Sequence, residues 1–96
     1  MIKHVVCFKL ADPTEAACLK CKEVLLSMTG NVPMIHDIEV GIDVLHSSRS
    51  YDIYLSVTVD DRAALDAYQC DKYHCEVVKT HMHAVTASSV AIDFEI

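Results

Sequence analysis

Tyr68 and His74 stand six positions apart in the stretch YQCDKYHC, residues 68–75, and cysteines flank the histidine at 70 and 75. A phenol and an imidazole across the end of a helix and its turn could share one cavity. Histidine titrates near neutrality and can take a proton from carbon or oxygen of a carbonyl compound. A tyrosine hydroxyl can donate to the enolate oxygen that then develops. Two bland alternatives compete with this chemistry, a phenol–imidazole contact that merely closes the core and a metal site.

The other candidate ligands are sparse. Cys18-x-x-Cys21 falls within a helical stretch, whereas a redox pair needs a loop at a helix start and structural zinc needs four ligands. On the buried stripe of a helix, cysteine packs as a small hydrophobe. His81-x-His83 and Cys70-x4-Cys75 have no diagnostic metal spacing, and His81 near a helix end can simply complement its dipole. No metal is expected. Cys70 and Cys75 are read as bystanders packed beneath the Tyr68–His74 pair.

The elements that must position these residues follow from periodicity. Residues 2–10 alternate, with His4, Val6, Phe8 and Leu10 on one face and Lys3, Val5, Cys7 and Lys9 on the other, which predicts a strand. In DPTE, Asp12 supplies a cap, Pro13 suits the first helical position and Glu15 completes a capping box. The helix predicted from there to about Met28 carries Ala17, Cys18, Cys21, Val24, Leu25 and Met28 on one side, and Gly30 ends it.

A second strand is expected over 36–45, with Ile38, Val40, Ile42 and Val44 together. A third covers 51–59, with Tyr51, Ile53, Leu55, Val57 and Val59 inward. Asp60 or Asp61 caps a second helix through Tyr68, continued from Tyr73 to His81. A final strand over about 85–96 places Val90, Ile92, Phe94 and Ile96 on one face. The order β-α-β-β-α-β predicts an α+β, ferredoxin-like protomer: a four-stranded antiparallel sheet with both helices on one face and right-handed crossovers. His4, Val6, Phe8 and Leu55 would then wall the space that Tyr68 and His74 enter.

The opposite sheet face is expected to show Lys3, Val5, Cys7, Lys9, Glu39, Asp43, Tyr54, Ser56, Thr58, Ala91 and Asp93. That set is too apolar for water alone and too polar for a monomer's core. It predicts a homodimer packed through this face, with opposite charges at the rim.

IKHVVCFKL, IEVGIDV, SRSYDIYLSVTVDD and ALDAY followed by a histidine six positions after its tyrosine resemble, in order and over nearly the whole chain, the stress-responsive dimeric α/β-barrel domain. The resemblance implies a dimeric α/β barrel closed by two sheets, and a pocket between sheet and helices. It also implies, from plant members that are polyketide cyclases, a catalytic Tyr/His pair at Tyr68 and His74, with His4 as the first-strand histidine. Most members have no assigned activity. The chain carries Asp71-Lys72 where the family often has His-Pro.

Composition narrows the classes. Ninety-six residues, 52% hydrophobic with two Gly and two Pro, make one domain spanning 1–96, long enough to bury roughly 60–68% of its unfolded surface. A net charge of −6 offers no basic footprint for nucleic acid, and Tyr54 stands alone on the sheet face where an RNA-binding module would carry several aromatics. No apolar run approaches the ~20 residues that span a bilayer, and no signal peptide is expected from MIKHVVCFKL. Five cysteines, an odd count, argue for reduced thiols in the cytoplasm. No flavin, nicotinamide or haem motif is present, so no cofactor is expected. The functional expectation is a small apolar pocket that binds or transforms a small carbonyl or aromatic compound. The alternatives are a non-catalytic structural or ligand-binding dimer and, more remotely, a cofactor-free monooxygenase.

Overall fold

The computed structural model describes residues 1–96. Its elements are β1 (Ile2–Leu10), α1 (Glu15–Leu26), β2 (Asp37–Ile42), β3 (Ile53–Val59), α2 (Arg62–Cys70), a π-helical segment (His74–Lys79), α3 (Thr80–Val85) and β4 (Thr86–Glu95). The sheet runs β2-β3-β1-β4 with every neighbouring pair antiparallel. This is the expected ferredoxin-like α+β fold, with the second helical region in three pieces.

Thr14, not Asp12, caps α1: its backbone is still extended and its hydroxyl accepts from the Ala17 N–H at 3.1 Å. The helix therefore begins at Glu15, and Pro13 lies outside it. At the other end Gly30 takes φ +79°, a left-handed conformation that suits glycine. The helical stripe is confirmed, with Cys18, Cys21, Leu25 and Met28 buried and Ala17 and Val24 packed at its edge. It lies against Ile53, Leu55, Val57 and Val59 of β3, which supply the buried inner row of the sheet. No helix is long and apolar enough to cross a membrane.

Three further expectations are corrected. β2 ends at Ile42, so Val44 is 90% exposed, and Asp43 turns the chain by accepting the His46 N–H at 2.6 Å. Tyr51 precedes β3 and is not part of its inner row; its ring lies 5.8 Å beneath the Lys9 ammonium. The alternation breaks at Asp52, which is buried and accepts the Leu10 N–H at 2.8 Å.

The third correction changes the molecule most. Cys7 pairs with Val90, Val5 with Ile92 and Lys3 with Phe94, so these β4 side chains share the open face of the sheet. Ser89, Ala91 and Asp93 stand opposite Phe8, Val6 and His4 and point toward the helices. Ala91 and Asp93 are thus on the helix side, the reverse of the expectation. Strand alternation says which residues go together, but not which face they take.

Candidate functional site

Alternation along β1 sends His4, Val6 and Phe8 to the helix side, and Leu55 joins them from β3. Asp61 caps α2 by accepting the Ala64 N–H at 2.8 Å, and Tyr68 in the last turn of that helix has no exposed surface. Asp71 then breaks the helix: its ψ is 134°, and its side chain accepts the His74 N–H at 3.0 Å. An aspartate here ends one helix and starts the next segment without a proline.

His74 consequently stacks on Tyr68, with ring centroids 4.3 Å apart and planes 29° off parallel. His4 meets the same phenol edge-on at 5.6 Å. His4, Val6, Phe8, Leu55, Tyr68 and His74 all line one cavity of about 220 Å³.

The electrostatics of the three rings differ. His4 Nδ1 hydrogen-bonds the Asp93 carboxylate, which faces inward because of the β4 register. With an ionised Asp93, Nδ1 carries the proton and Nε2 is left with its lone pair. His74 is held down to about 4, chiefly by burial, next by the Lys79 ammonium and, whenever that ring is protonated, by His4; Asp71 and the Tyr68 backbone pull the other way. His74 is therefore a neutral imidazole at physiological pH, and its buried Nδ1 has no hydrogen-bond partner within the protein.

Burial first, and Asp71 second, raise Tyr68 above the ordinary phenol range, so it stays protonated. Its hydroxyl donates to Met28 Sδ at 3.8 Å. A thioether is a weak acceptor, so Tyr68→Phe should change the unfolding free energy by less than about 1 kcal/mol. Urea denaturation checks this, and a loss above roughly 2 kcal/mol would reveal a stronger partner for the hydroxyl.

The remaining candidates lie apart. Cys18 and Cys21 sit in the α1 stripe, where burial raises both thiols, and Cys21 Sγ is 3.8 Å from His81 Nε2. No three His, Cys, Asp or Glu side chains converge as a metal-binding group. Cys70 is exposed, not packed beneath the pair, while Cys75 Sγ donates to the Gln69 carbonyl at 3.3 Å. Sequence reasoning missed Asp93, Lys79 and His83. The signal for Asp93 was a buried β1 histidine in need of a carboxylate partner.

The family model of the stress responsive A/B barrel domain (Dabb) matches residues 2–96. The chain belongs to this family. Among solved structures, a dimeric ferredoxin-like protein of unknown function from Thermobifida fusca is similar to this Dabb chain at 21% identity and a TM-score of 0.85, over 99% of this chain and 90% of that one. Another dimeric ferredoxin-like protein, from Bacteroides fragilis, has 22% identity and a TM-score of 0.84 over 99% and 95%. The hydroxynitrile lyase of Passiflora edulis has 11% identity and a TM-score of 0.82 over 99% and 92%. At these identities the likeness is one of fold. No curated protein matches the chain.

Proposed function

We propose that this Dabb-family protein is a cytoplasmic homodimer, joined through the open sheet faces, that binds a small carbonyl or aromatic compound in the sheet–helix cavity and withdraws a proton from it without a cofactor. The observation that carries the chemistry is His4 in the wall of a largely apolar cavity, its Nδ1 held by the carboxylate of Asp93, which lies outside the lining. The carboxylate fixes the tautomer and stabilises the imidazolium that forms once Nε2 has taken a proton from the carbon beside a carbonyl. Neutral His74, stacked across Tyr68, offers its ring to the developing enolate oxygen. Proton abstraction is assigned to His4 because His74 is weakly basic in its buried position. Tyr68 shapes the wall with its ring and remains a neutral donor.

Dimerisation is supported by Val90, Ile92 and Phe94 beside Val5, Cys7 and Tyr54, an apolar surface that a monomer rarely leaves in water. The dimeric relatives named above agree with it. Unpaired cysteines fit a reducing compartment. A second reading, a dimer that binds ligand without transforming it, is favoured by the Tyr68 hydroxyl being engaged by Met28.

The test is deuterium incorporation by NMR in D₂O. Enolisable aromatic ketones and 1,3-diketones that raise the melting temperature serve as probes. Exchange beside the carbonyl should be catalysed by the wild type and fall about 10²–10⁴-fold in His4→Gln and Asp93→Asn. Binding without exchange selects the second reading. Equal binding by wild type, Tyr68→Phe and His74→Ala would show that the rings only line the core.

A further inference from the structure

The π-helical segment brings a charge to this cavity. Residues five apart lie about 140° from each other around an α-helix, whereas π-helical hydrogen bonds close over five residues and return them to nearly one face. His74 and Lys79 are the two ends of that segment, and both line the cavity. Val78 lines it between them, and α3 carries the same face onward through Met82 and His83.

The resulting electrostatics run against the rest of the molecule. The chain has fourteen acidic residues and a net charge of −6, yet the cavity lining contains one lysine, three histidines and no aspartate or glutamate. Lys79 is half-buried and makes no ion pair, while Lys20 and Arg62 do. The adjoining cleft has the opposite character, with Arg62 outnumbered by Asp66, Asp93 and Glu95.

We propose that the cavity takes a small organic acid, its carboxylate held by Lys79 at the mouth and its apolar body laid against Val6, Phe8 and Leu55. This rests on the cavity being the ligand site. An ammonium at the edge of an apolar space is incompletely hydrated, so a carboxylate there recovers a charge-assisted hydrogen bond that a neutral isostere cannot match. The ligand then enters tail first, with its charged end facing the exposed His83.

Calorimetric titration with phenylacetate and with phenylacetamide tests the charge apart from the shape. Phenylacetate should bind the wild type about 10–100-fold tighter than the amide, and Lys79→Gln should remove that margin while leaving amide affinity unchanged. Lys79→Arg should restore most of it. If acid and amide bind alike and Lys79→Gln alters neither, the charge assignment is overturned while the cavity stands as a ligand site. If neither binds, or if binding is indifferent to His74→Ala, the ligand site itself is wrong and the proposal falls with it.

Discussion

Ile92→Glu should turn the proposed dimer into a folded monomer at micromolar concentration. Ile92 is 62% exposed in the protomer and lies mid-strand on the open face, opposite Val5 and between Val90 and Phe94. A stable interface buries about 800 Å² per partner, and two-fold symmetry brings each substituted position in twice. Two carboxylates desolvated without partners cost about 4 kcal/mol or more together, which raises the dissociation constant at least roughly 10³-fold. Within one protomer the new side chain reaches water, so circular dichroism should keep its native shape. Light scattering on wild type and variant checks the result. A wild type that is already monomeric, or a variant that stays dimeric, would refute packing through this face.

Acid should destabilise the protein through His74 by about 2–3 kcal/mol. The ring titrates near 6.5 when unfolded and at about 4 when folded. Between those values the unfolded chain holds a proton that the folded one does not, so stability rises with pH. The contribution of the neutral buried ring is complete above about pH 6.5 and is lost as pH falls through 4. Urea denaturation at intervals from pH 7 to pH 4 should show wild type losing about 2–3 kcal/mol more than His74→Gln. Carboxylates titrate in both proteins and cancel in that difference. Parallel curves would mean that His74 is hydrated and that the wall of the cavity is open to water.

His4, Val6, Phe8, Leu55, Tyr68 and His74 were legible as one group because each depends on short-range rules. Period two places the strand residues on one side, and a capped helix beginning after Asp61 carries Tyr68 onto the sheet. The family resemblance added the Tyr/His pairing. The α1 stripe of Cys18, Cys21 and Leu25 was legible for the same reason, since 3.6-residue periodicity is local.

What the sequence by itself determined about this protein was the order of its elements, the composition of each face and the identity of the rings. Only the tertiary structure decided how those faces meet. Val90, Ile92 and Phe94 announce a shared face in β4, but an alternating strand reads the same with either side inward. The pairing of β4 with β1, more than 80 residues away, turned them outward and set Asp93 on His4. The π-helical segment was likewise invisible. Helical periodicity assumes 3.6 residues per turn, and the wider turns after His74 shift the phase so that Lys79 joins the cavity. Both features are matters of register, and register is settled by long-range packing and backbone hydrogen bonding, which no local window contains.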